Sequence, residues 1–336
     1  MRSRIVTLLL VAVMVLLAAC GAPSKEDVMK KLSGKWNDTK GYELKAKMEI
    51  KTGAEPRIYD VVVWYTKPAF YRVNVSQAGS EDSQMIVRNE EGVFVVTPSL
   101  GKTYKFQSDW PAQNSQAYLI GALSDDIKAD KNATMTEKDK AYIFETATRN
   151  NHKKVLPTQQ IHIDKKTLLP THVSVLDENK EEKIRITFQQ ITLGKERKAA
   201  DYAVEIDDTN TGKEQDPTDG KKTGLPTYYP SVEWEGVTLE EEQMETTNGT
   251  RTFMTFSGSK EYIIVQEPAT PATIAEHKVA VSIEGDPVDL GFTIAAMTEN
   301  SIRWESAGIS FFIASETLTK DEMIEVAASM QAEEMK

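Results

Sequence analysis

Gly41-Tyr42-Glu43-Leu44-Lys45-Ala46-Lys47-Met48-Glu49-Ile50-Lys51 is the stretch that decides the fold. Tyr42, Leu44, Ala46, Met48 and Ile50 alternate with Glu43, Lys45, Lys47, Glu49 and Lys51. A period of two places all five apolar side chains on one face and all five charges on the other. The stretch is therefore a strand half-buried in an antiparallel sheet with one wet face.

Moving toward the C-terminus, the same signal returns at 58–65, 70–75, 84–89, 92–97 and 102–107. Each run is short, rich in β-branched or aromatic residues, and bounded by Gly, Pro, Asn or Ser. Asp109-Trp110-Pro111 then predicts a helix running to about Leu123, with Pro111 in its first turn and Tyr118, Leu119 and Ala122 as a buried stripe. Further strands are predicted at 141–148, 158–163, 172–176 and 183–193, the last two joined by a turn at Asp177-Glu178-Asn179-Lys180. A sheet of roughly ten strands tends to curl. Upstream, Ser24 and Asp27 form a capping box for a helix carrying Val28, Leu32 and Trp36 on one face, with Gly34 marking an early end.

Between Gly194 and Pro230 the chain turns polar and rich in Lys, Asp, Thr, Gly and Pro. Residues 201–230 read as a linker spanning roughly 30 Å, so the following domain need not pack on the first. That domain, 231–336, shows strands near 252–256, 261–266, 280–283 and 292–296, then a hairpin pairing 302–305 with 309–314 across Ser306-Ala307-Gly308. Thr319 and Glu322 cap a closing helix bearing Met323, Ile324, Val326, Ala327 and Met330. The acidic run Glu240-Glu241-Glu242 reads as solvated surface or helix-start charge.

At the N-terminus, Arg2 and Arg4 precede a fifteen-residue apolar run from Ile5 to Ala19, and Leu17-Ala18-Ala19-Cys20 follows the pattern of a bacterial lipobox. The run is too short to span about 30 Å of hydrocarbon. Residues 1–19 are thus expected to be a lipoprotein signal peptide. Cys20, the only cysteine, is expected to carry the lipid that anchors the chain on the extracytoplasmic face of the cell membrane. The net charge of −11, or −13 without Arg2 and Arg4, gives no broad attraction to nucleic acid.

Two blocks within 20–200 resemble the LolA-like lipoprotein-carrier family. The first holds Trp64, Lys67-Pro68, Phe70-Tyr71-Arg72, Gln84-Met85-Ile86-Val87-Arg88-Asn89, Gly92-Val93-Phe94-Val95-Val96 and Pro98. The second holds Ile161-His162-Ile163-Asp164, Leu169-Pro170-Thr171, Ile184, Ile186 and Phe188. Together with the lipobox and a tail resembling a DUF4367-like domain, the pattern is most similar to the YdcC-type sporulation lipoproteins. The resemblance implies an α+β fold. A curved antiparallel half-barrel sheet covered by helices would bind acyl chains on its concave face, beside a small C-terminal α+β domain. Tethering and the added domain depart from a freely shuttling carrier.

A curved apolar sheet must fill its hollow with helices or keep a cavity. The expected cavity residues are Leu44, Met48, Val61, Val63, Tyr65, Val73, Met85, Val87, Phe94, Val96, Tyr104 and Phe106, with Tyr118 and Leu119 from the covering helix. Expected partners are lipid or lipoprotein acyl chains, the membrane through Cys20, and an envelope protein. The second reading is an envelope sensor that regulates a protein partner such as an anti-sigma factor. No nucleophile elbow, phosphate loop or His-Glu-x-x-His pattern occurs, so no catalytic residue, metal or cofactor is expected. Of the four histidines, His162 and His172 lie on consecutive strands and are expected to face each other.

Overall fold

A computed structural model describes residues 23–51, 56–79, 83–108, 116–149, 153–204, 226–271 and 279–332. Cys20, the signal peptide, His152 and His277 lie outside the described residues. Helix α1 (Lys25–Trp36) precedes strands β1 (Gly41–Ile50), β2 (Arg57–Thr66), β3 (Phe70–Gln77), β4 (Ser83–Asn89), β5 (Gly92–Thr97) and β6 (Lys102–Phe106). Helix α2 (Ile120–Ala129) follows, then β7 (Thr134–Lys138), β8 (Ala141–Ala147), β9 (Thr158–Asp164), β10 (Pro170–Leu176) and β11 (Glu182–Leu193). The C-terminal half holds β12 (Tyr228–Pro230), β13 (Val237–Thr246), β14 (Gly249–Gly258), β15 (Tyr262–Pro268), β16 (Val279–Ile283), β17 (Asp286–Asp289) and β18 (Ile294–Met297). The chain continues through β19 (Ser301–Ser306), β20 (Ile309–Ala314), α3 (Lys320–Ala328) and β21 (Met330–Ala332).

The alternating stretch becomes the middle of a twelve-stranded sheet ordered β16-β6-β5-β4-β3-β2-β1-β11-β10-β9-β8-β7. Every pairing in it is antiparallel except β16 with β6. Register slips at Lys45/Ala46 and Val175/Leu176 add the local bend that bulges bring. One face carries Leu44, Val63, Val73, Ile86, Val95 and Tyr104 in successive cross-strand register. Against this inner face pack Val28, Leu32 and Trp36 of α1 and Ile120, Leu123 and Ile127 of α2. The fold is thus α+β, a curved antiparallel sheet covered by helices.

Ser24 and Asp27 form the capping box of α1. The helix runs through Gly34 to Trp36, because Trp36 Nε1 donates to Leu168 O at 2.8 Å and holds the last turn onto the β9–β10 corner. The second helix corrects the expectation of 109–123. Residues 109–115 lie outside the described residues, 116–119 are not helical, and α2 starts at Ile120 without a side-chain cap.

A seven-stranded sheet, ordered β13-β14-β15-β20-β19-β18-β17, forms the second layer. Its Met254, Ile264, Trp304, Phe311 and Ile313 are buried together with Met323, Ile324, Val326 and Ala327 of α3. The second half meets the first, a packing that the polar composition before it did not require. After β15 the chain returns to the first sheet, where β16 pairs in parallel with β6, Val281 level with Tyr104. Within 201–230, residues 205–225 lie outside the described residues, Tyr202 is fully buried, and Tyr228–Pro230 pairs with Met330–Ala332. The run Glu240-Glu241-Glu242 is solvated surface rather than a helix start, all three residues being exposed on strand β13.

Candidate functional site

The far edge of the first sheet and the near edge of the second meet across a seam. In β18 to β20, residues 294, 296, 303, 305 and 310 share the face that meets the first sheet, while Trp304 and Phe311 belong to the layer facing α3. Gln84 Oε1 accepts hydrogen bonds from Ile294 N at 3.0 Å and Thr293 Oγ1 at 3.1 Å. Lys102 Nζ lies 2.5 Å from Glu305 Oε1. The Arg57 guanidinium stands over the Phe292 ring at 4.8 Å. These contacts clasp the halves around a cavity of about 330 Å³.

One wall of the cavity is Val95, Tyr104 and Phe106 of the first sheet, extended by Val281 and Ile283 of β16. The other wall is Ile294 and Ala296, with the polar Arg303, Glu305 and Ser310 on the same face. Burial, and then the negative charge of Glu305, push the Tyr104 hydroxyl well above its ordinary range, so it stays neutral. An engineered apolar cavity of about 150 Å³ holds benzene, so this volume holds roughly a dozen carbons. The arrangement is a slot between the sheets that joins apolar side chains from both walls to polar ones such as Gln84, Glu284 and Arg303.

Of the expected cavity residues, Tyr104 and Phe106 line this slot. Leu44, Met48, Val61, Val63 and Val73 are buried in the core cluster, and so are Tyr118 and Leu119, just before α2. Tyr65 stands in a row of tyrosines, its ring centroid 5.1 Å from Tyr42 and 4.8 Å from Tyr71. Met85, Val87, Phe94 and Val96 require a correction. They pair with one another across β4 and β5 on the face opposite Ile86 and Val95, and so share no hollow with Val63 or Val73. Val87 and Phe94 instead pack beneath Tyr202, whose hydroxyl shares a 2.8 Å hydrogen bond with Thr66 Oγ1. Beside them Trp64 is stacked by Arg197 at 3.7 Å and flanked by Arg72 at 5.1 Å.

The residues of the second wall escaped the sequence reading, because β18 to β20 read as core strands of a separate domain. Only the apolar pattern on both faces of 302–314 hinted at two covered surfaces. His162 and His172 do face each other, their rings stacked at 3.9 Å on the outer face of β9 and β10.

A curled antiparallel sheet closed by two helices and clasped to a second sheet defines an α+β architecture. The chain belongs to the YdcC-like sporulation protein family, whose description "Sporulation protein YdcC-like" matches residues 2–199. Sporulation protein YdcC of Bacillus subtilis (strain 168) is 37% identical over 332 residues, covering 97% of this chain and 96% of that protein. Among solved structures, a chain of the Pseudomonas aeruginosa MucA/MucB complex is similar at 14% identity and a TM-score of 0.33, covering 91% of this chain and 98% of that one. A LolA superfamily protein from Nitrosomonas europaea is similar at 8% identity and a TM-score of 0.32, covering 55% of this chain and 99% of that one.

Proposed function

We propose that this sporulation-family protein is a non-enzymatic, lipid-anchored envelope protein that holds an acyl chain of a lipid or lipoprotein in the seam between its sheets. The observation that carries the reading is the 330 Å³ slot walled by Val95, Phe106, Ile294 and Ala296, with Arg303 among its polar groups. Burying the roughly dozen carbons that the slot holds from water is worth about 9 kcal/mol at about 0.8 kcal/mol per methylene. Relative to a bilayer, where the chain is already buried, the net gain is close to zero, which suits pick-up and release. An exposed Arg303 matches a carboxylate or phosphate head group at the mouth. Lipidation of Cys20 would keep the slot beside the outer surface of the cell membrane.

Native mass spectrometry of the full chain isolated from membranes tests the slot. Wild type should carry lipid, and Ala296→Trp, which fills the slot, should carry little. Equal lipid in both, or none in repeated preparations of wild type, would overturn the reading. Radioactive palmitate should label wild type and leave Cys20→Ala unlabelled.

A further inference from the structure

Strand β13 forms one edge of the second sheet and pairs, among the described residues, with β14 alone. It runs ten residues, Val237-Thr-Leu-Glu-Glu-Glu-Gln-Met-Glu-Thr246, and holds register with β14 from Val237↔Gly258 to Thr246↔Gly249 without a slip. Because bonded and free positions alternate along an antiparallel ladder, every second residue of β13 turns its N–H and C=O away from β14. Edge strands are ordinarily blunted by short length, proline, bulges or charged side chains, lysine above all. β13 is long, unbroken and free of proline and lysine, and its only charges are glutamates.

Eight of its residues are exposed, so both faces stand in solvent, and Leu239 and Met244 are 43% and 47% exposed. The three consecutive glutamates distribute charge to both faces. Glu240 and Glu242 lie level with Thr255 and Phe253, and Glu241 lies level with Met254. Glu241 accepts from the Tyr229 hydroxyl at 2.7 Å and from Gln243 Nε2 at 2.8 Å. Among the described residues no cation pairs with Glu240 or Glu242.

We propose that β13 is a docking edge for an extended, basic polypeptide segment of a partner protein, which adds to the second sheet as an eighth strand. Backbone hydrogen bonds along the free edge supply the affinity and the glutamates select lysine or arginine at facing positions. Charge also decides against a second copy of this chain. Antiparallel pairing of β13 with itself about its midpoint sets Glu241 opposite Glu242, and like charges directly opposite repel. The edge lies on the sheet whose other end, β18 to β20, walls the slot. The docking proposal stands independently of lipid binding.

A fluorescein-labelled ten-residue peptide alternating lysine with valine or threonine tests it by fluorescence anisotropy against the full chain. Saturable binding is expected, weakened at least about tenfold in Glu240→Lys/Glu242→Lys. The same peptide with alternate backbone amides N-methylated keeps its charge and loses the hydrogen bonds, and it should not bind. Both substitutions are at exposed positions, and a retained cooperative melt checks folding. The methylated peptide tests the edge with the protein unaltered. Equal binding of the methylated peptide, unchanged affinity in the charge-reversed protein, no saturation below about 1 mM, or dimerisation of the chain through β13 would each overturn the proposal.

Discussion

Lys102 Nζ on β6 meets Glu305 Oε1 on β19 at 2.5 Å, joining residues 203 positions apart in the chain. The Glu305 side chain is 10% exposed and that of Lys102 20%, so the pair is shut in the seam beside the slot. It ties the edge of the first sheet to the wall of the second.

Removing one partner strands the other charge. Lys102→Met should destabilise the chain by about 2–3 kcal/mol, a figure kept below that of a fully dry pair because the lysine retains some solvent. The double replacement Lys102→Met/Glu305→Leu should recover most of the loss, since it removes both charges. Urea unfolding of the three variants checks the cycle.

Asp289, at the end of β17, is buried, and that burial raises its carboxyl to about 6, opposed in part by the hydrogen bond donated by Gly291 N at 2.7 Å. An acid with a raised value favours its protonated form in the fold. Its contribution is complete below the ordinary value of 3.8 and is lost as pH rises through about 6. Wild type should therefore lose up to about 3 kcal/mol between pH 4 and 7 from this group. Asp289→Asn should flatten that slope in denaturant melts taken across the range.

His172 behaves in the opposite sense. Partial burial, then the neighbouring His162 and Arg185, lower it from 6.5 to about 4. A base with a lowered value stabilises the fold above pH 6.5 and loses that contribution as pH falls through about 4. Proton NMR should show the His172 ring titrating last, and His172→Gln should reduce the stability lost between pH 6.5 and 4.

Phe94 is fully buried on the outer face of the first sheet with Val87 and Tyr202. Phe94→Ala should cost about 3–5 kcal/mol through the cavity it leaves. Tyr202→Phe should cost about 1 kcal/mol, since it removes one hydrogen bond of the buried Thr66 hydroxyl, which keeps the one donated by Arg197 N at 3.1 Å. Lipid content by native mass spectrometry should survive Tyr202→Phe, because Tyr202 does not line the slot.

Most strands of the first sheet were legible because each faces the core on one side and water on the other, as at Tyr42–Ile50. β7 and β13 were not. Thr134–Lys138 is largely exposed and Val237–Thr246 almost wholly so, and a strand with nothing to bury carries no alternation. β4 and β5 were legible as strands but not as faces. Met85-Ile86-Val87 and Val93-Phe94-Val95-Val96 are apolar at both parities because core covers one side and Tyr202 the other.

The sequence by itself determined the secondary elements that make local sense: alternating strands, the capping boxes at Ser24 and Thr319, and the hairpin at Ser306-Ala307-Gly308. Membership of the family rests on it as well. Tertiary structure alone decided that Val279–Ile283 leaves its own half to pair with Lys102–Phe106, and that Gln84, Lys102 and Tyr104 meet Ile294 and Glu305 across the slot. Periodicity records that a face is covered and never by what, because burial depends on apolar area while the identity of the neighbour depends on long-range packing.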